Sequence, residues 1–165
     1  MPKKEQYRLQ TLLGLRENTK NEAERHLGEC LAALEKEKER LEFMEKELQQ
    51  MVAKRTARIR EYSEKQMRGE MSAQAVISAN SYIERLKEQE EAQQEAINGQ
   101  EEVVNARTAD VKDARDKLIV ANQDLKALEK HKEKWEKKIK REAQMKEEEA
   151  LDELAQTIFL NKDRD

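Results

Sequence analysis

The chain has 165 residues, of which 42% are charged and 4% aromatic, too few large apolar side chains for an ordinary globular core. Its formal net charge is −3, from 33 basic and 36 acidic residues, which provides no global field for nucleic acid. One Pro and four Gly leave long stretches free of helix breakers. The remainder is rich in Glu, Lys, Ala, Gln, Leu and Arg, so long helices sharing a narrow apolar seam are favoured over disorder. No apolar run reaches the roughly 18 residues of a membrane span. Met1 to Gln6 leads into no apolar signal-peptide region, and Cys30 has no partner for an internal disulfide, so a cytoplasmic protein is the simplest reading.

In the first half, Leu13, Leu27, Leu34, Leu41, Leu48 and Tyr62 share one heptad column. Leu31, Val52 and Ile59 fall in a second column four residues on. Gly14 and Gly28 are weak spots within this helix. Arg68-Gly69-Glu70-Met71-Ser72 then offers Gly as a helix stop and Ser72 as a new N-cap. The second column also changes phase between Tyr62 and Ile83, as a break in the helix would require.

The second half has the clearer period. Ile83, Ile97, Val104, Val111, Leu118, Leu125 and Ile139 share one column, interrupted by Glu90 and Lys132. Three residues on, the adjoining column holds Leu86, Ala114, Ala121, Leu128 and Trp135, but also Gln93, Gln100 and Arg107. The seam is therefore weakly apolar from about Gln89 to Arg107. Asn98-Gly99 is a rival turn signal, yet the column passes from Ile97 to Val104 undisturbed. These readings predict one all-α domain over 1–165, a long antiparallel two-helix coiled-coil hairpin with helix 4–68, turn 69–72 and helix 73–160. Folding back near residue 70 pairs positions whose numbers sum to roughly 140, at helix lengths of about 95 and 130 Å. Leu13 would then lie near Ala127 and Leu48 near Ala92. Residues beyond about 140 form a C-terminal helical overhang.

Catalytic chemistry finds no support. There is no Gly-rich phosphate loop, and His26 and His131 lack a second His at metal-binding spacing. Cys30 reads as a seam-edge residue, and Glu147-Glu148-Glu149 point in different directions on a helix, as a solvated face would. Neither a metal nor a cofactor is expected. From Glu129 to Arg141 seven Lys or Arg surround Trp135 against three Glu. That stretch suits an acidic surface or nucleic acid, or it merely flanks a seam in which Trp135 sits in register.

Three places carry more apolar residues than the seam needs. Tyr7, Leu9, Leu12 and Leu15 accompany Leu13; Met67, Met71, Val76, Ile77 and Tyr82 gather around the turn; and Leu151, Leu154, Ile158, Phe159 and Leu160 make the tail amphipathic. A two-helix hairpin has little interior in which to hide them, so they mark partner contacts or local packing.

The segment Tyr7-Arg8-Leu9-Gln10-Thr11-Leu12-Leu13-Gly14-Leu15-Arg16-Glu17 resembles the opening of the FliJ/YscO family. Gly69-Glu70-Met71-Ser72 followed by Ala79-Asn80-Ser81-Tyr82-Ile83-Glu84-Arg85-Leu86 resembles that family's turn and second-helix start. His131-Lys132-Glu133-Lys134-Trp135 and the acidic tail are more similar to the injectisome branch, YscO, than to the flagellar one. The resemblance implies a non-enzymatic, cytoplasmic central-stalk component of a type III secretion system at the inner-membrane export apparatus. It would link the hexameric export ATPase to the export gate protein, and some members also bind secretion chaperones. The termini would face the ATPase, through Tyr7, Leu9, Leu12, Leu13, Leu15, Leu151, Leu154, Ile158 and Phe159. The turn would face the gate, through Tyr62, Met67, Met71, Val76, Ile77, Tyr82 and Leu86, with Arg58 where flagellar members carry a further aromatic. The isolated chain is expected to be a monomer that neither spans a membrane nor binds nucleic acid. A chaperone-escort adaptor without a stalk role and a parallel homodimeric tether with one continuous helix are the alternative readings.

Overall fold

The computed structural model describes residues 6–164. They form two helices, α1 (Gln10–Met67) and α2 (Ala73–Lys162), and no strand. The helices pack against each other as a hairpin. The expected helix start at residue 4 lies outside the described residues, and within them α1 begins only at Gln10. Gln10 N–H donates to the Tyr7 carbonyl, and Leu13 N–H to that of Leu9.

The break between the helices has a specific chemical cause. Glu70 N–H donates to the Lys65 carbonyl and Gly69 N–H to that of Gln66, the pair of bonds that caps a helix ending in a left-handed residue. Gly69 is that residue, at φ 69°, where a side chain would be strained. Ser72 then opens α2: its Oγ accepts from Ala75 N–H at 3.1 Å while its carbonyl accepts from Val76 N–H. This break removes the continuous helix that a parallel two-chain tether would need. Asn98-Gly99 lies inside α2 and turns nothing.

Contacts divide the chain into two units, Arg25–Arg115 and the segments on either side of it. In the central unit, Leu34, Ala79, Leu86, Ile97, Val111 and Ala114 are buried. Here the weakly apolar stretch of seam is closed by hydrogen bonds. Gln93 donates to the Met44 carbonyl at 3.0 Å and to Glu47 at 3.3 Å. Gln100, buried like its apolar neighbours, donates to the carbonyl and carboxylate of Glu37. Arg55 meets Glu90 at 2.7 Å with both side chains largely covered. In the outer unit, Tyr7, Leu13, Ala121 and Leu125 form the core, and Arg16 reaches Asp124 at 3.5 Å.

Both α2 columns face the core as expected, except that Arg107 is exposed. The second α1 column differs. Leu31, Val52 and Ile59 are exposed at 39%, 38% and 41%, whereas Cys30, Glu37, Met44 and Met51, one residue earlier, are half-buried. The true column therefore lies three residues after the leucine column, in the same phase as in α2, and no phase change accompanies the turn. Leu31, Val52 and Ile59 pointed to the wrong face: Cys30 and Met51 take the seam positions beside the first two, and elsewhere in the same column stand the polar residues Glu37 and Arg16. They are accommodated there by Gln100 and Asp124.

The glycines sort by conformation. A Cβ at Gly99 would meet nothing within 4 Å, so Gly99→Ala should stabilise the chain by about 0.5–1 kcal/mol through helix propensity. Gly69→Ala should destabilise it by about 1 kcal/mol or more because of the left-handed backbone. Urea unfolding followed by circular dichroism would show the opposite signs.

Candidate functional site

At the turn, Met67 is 87% and Ile77 60% exposed, while Met71, Val76, Tyr62 and Tyr82 are half-buried. Met67 is the last residue of α1. Leu86, expected on this surface, is instead a core residue; it occupies the α2 column that faces α1. The Arg85 guanidinium sits over the Tyr82 ring, 5.8 Å from its centroid. Arg58 donates to Glu61 at 3.0 Å, and Lys65 bridges to the same carboxylate at 3.4 Å. Hydrogen bonding from Lys65, and then from Arg58, holds the Glu61 carboxyl below its usual range. Arg58 is raised in turn, first by its hydrogen bond to Glu61 and then by the charge of that carboxylate. The turn thus combines exposed apolar side chains with cations held in fixed places.

In the outer unit the residues expected to form one surface do not. Tyr7 and Leu13 are buried, and Leu9 and Leu12 are half-buried. Of that group only Leu15 is well exposed, at 57%. Tyr7 lies against Trp135, ring centroids 5.3 Å apart, and against His131 at 5.7 Å. Its hydroxyl is hydrogen-bonded to His131 Nδ1. Trp135 is therefore a seam residue, and His131 is a hydrogen-bond partner rather than an idle exposed histidine. Folding back at residue 70 gave the signal for this cluster, since it sets Tyr7 opposite residue 133.

Leu151, the first apolar residue of the tail row, lies 16 positions beyond Trp135, or about 24 Å along the helix. From Arg141 to Arg164 every residue is exposed, and Leu151, Leu154, Ile158, Phe159 and Leu160 range from 56% to 66%. Nothing in the described chain covers them. The start of α1 and the tail are thus separate features: one is spent on internal packing, the other is open.

No chemistry of bond making gathers anywhere among the described residues. No three His, Cys, Asp or Glu side chains converge as a metal would need. Cys30 Sγ lies 3.6 Å from His26 Nε2 on the helix flank, a pair at i, i+4 that the sequence reading treated separately. No helix is long and apolar enough to cross a membrane.

A family model for YscO-like proteins matches residues 4–165, nearly the whole chain. The chain belongs to the YscO-like family. None of the curated proteins compared matches it. Among solved structures it is similar to a proposed YscO homologue, CT670, from Chlamydia trachomatis. The TM-score is 0.83 at 24% identity, over 98% of this chain and 99% of that one, a likeness of fold. Membership makes this YscO-like chain a type III secretion-related protein, from a family of structural secretion-system components.

Two predictions follow from the geometry of this YscO-like hairpin. Tyr7→Ala should cost about 2–4 kcal/mol, and Tyr7→Phe about 1 kcal/mol for the lost hydrogen bond. The single Trp at position 135 reports both, and its emission should shift to the red in the alanine variant. For Glu61, the depressed pKa means that its contribution is present above the ordinary carboxylate range and lost as pH falls through the folded value. Arg58→Ala should raise that pKa toward normal, read by carbon-detected NMR titration of the side chain.

Proposed function

We propose that the protein is a non-enzymatic central-stalk component of a type III secretion apparatus, coupling the hexameric export ATPase to the membrane export gate. The observation that carries this reading is the open tail: more than six helical turns after residue 140 at about 3.6 residues each, with an apolar row and no cover. Exposed apolar rows of this kind serve partner contacts. The turn offers a second and chemically different surface, Met67 and Ile77 beside Arg58, Lys65 and Arg85. A coupling protein needs two such surfaces and no hydrolytic residue. In this reading the tail engages the ATPase, the turn engages the gate, and the protein works in the cytoplasm against the inner membrane. Leu15 is the one residue near the start of α1 left to add to the ATPase contact, because Tyr7 and Leu13 are internal.

The same open tail suits a secretion chaperone, which is the second reading: an escort adaptor without a stalk role. The two separate in one experiment. The full chain should raise the turnover or hexamer assembly of its cognate ATPase, and Leu154→Asp with Ile158→Asp should abolish the effect while leaving helicity unchanged. ATPase activity and assembly that ignore the full chain would overturn the stalk reading, and chaperone binding lost in the same double variant would establish the escort.

A further inference from the structure

The tail row does not continue the seam that pairs α2 with α1. Leu128, Trp135 and Ile139 face α1, which is why they are half-buried. At 100° per residue, Leu151, Leu154 and Ile158 lie about 100° around the helix from that face. The seam columns themselves run on through Lys146, Glu149, Glu153 and Gln156 before reaching Leu160, all exposed. An extension of α1 would therefore meet polar residues, and the apolar row is turned to receive something that approaches from another side.

The charge around the row selects what that is. Residues 142–153 hold six carboxylates, at Glu142, Glu147, Glu148, Glu149, Asp152 and Glu153, against a single lysine, Lys146. Glu147 stands in line with the row, one turn before Leu151, and Glu148 stands on its flank. Two tails laid side by side in parallel would oppose these carboxylates to each other, which disfavours that pairing of two copies. The chain's own basic stretch cannot serve either, because its large apolar residues, Trp135 and Ile139, are turned to α1.

We propose that the tail docks a basic amphipathic helix of another protein, with apolar side chains seated on Leu151, Leu154 and Ile158 and lysines or arginines reaching Glu147 and Glu148. This rests on the reading of the tail as a partner surface and adds the chemistry of the partner. Apolar burial supplies the affinity, and the carboxylates supply the direction of approach and the choice of partner.

The test uses the full chain and a fluorescent 14-residue amphipathic peptide of Leu and Lys, with the matching Leu–Glu peptide as control. Anisotropy should show binding of the Leu–Lys peptide that weakens with salt, and little binding of the Leu–Glu peptide. Leu154→Asp with Ile158→Asp should weaken binding about tenfold or more. Glu147→Lys with Glu148→Lys should remove most of the salt dependence. Both variants alter fully solvated positions, so circular dichroism should be unchanged. Equal binding of the two peptides, or binding of Leu–Lys that ignores the Asp pair, would overturn the proposal. So would sedimentation showing that the row is occupied by a second copy, as a dimer that the Asp pair dissolves. ATPase stimulation persisting in the absence of peptide binding would leave the stalk reading standing and this inference refuted.

Discussion

Everything in this protein depends on one narrow interface. A two-helix hairpin has a single seam, and each helix turn can contribute only about one side chain to it. Among the described residues ten apolar side chains are buried, none of them completely. With so little apolar burial, each seam position matters more than it would in a three-layer domain, and polar residues there need partners on the facing helix.

That need explains the centre of the hairpin. Gln93 and Gln100 donate to main-chain carbonyls of α1, which accept a second bond without giving up their helical one. They also bind the carboxylates of Glu47 and Glu37. Such bonds add little net stability, and a slip by one heptad would keep one of the two pairs, because Gln93 and Gln100 stand seven residues apart and so do Met44 and Glu37. Apolar seams tolerate slippage because one leucine resembles the next. The glutamines satisfy seam positions that would otherwise place polar groups against α1 without partners. Ion pairs on the surface, mostly within one helix and half-exposed, contribute helix stability at the level of tenths of a kcal/mol.

The same economy determines where function can reside. A seam this narrow leaves excess apolar residues exposed: some, such as Phe43, Val103, Ile119 and Val120, stand along the helices, and the densest group lies along the tail. Around the turn the cations are paired with carboxylates, Arg58 and Lys65 with Glu61 and Arg68 with Glu64 and Glu70, whereas carboxylates outnumber cations over residues 142–153 of the tail. Two surfaces of different composition on one chain would suit contacts with two different partners.

Much of this was legible in the sequence for a physical reason. Helix class follows from composition and the near absence of Pro and Gly; the α2 seam follows from a 3–4 repeat; and Gly69 and Ser72 are residue types whose local backbone chemistry ends and starts helices without help from elsewhere. The open tail was also legible, since unequal arms leave one end without a partner. What the sequence could not decide was the outcome of pairing. Leu31, Val52 and Ile59 look like a seam, and Glu37 does not, until Gln100 is placed opposite it. Tyr7 looks like a surface aromatic until α2 brings His131 and Trp135 against it, and Leu86 looks available until α1 covers it. Periodicity is a property of one helix. Which face is buried is decided by the side chains of the other, and only the tertiary structure brings the two together.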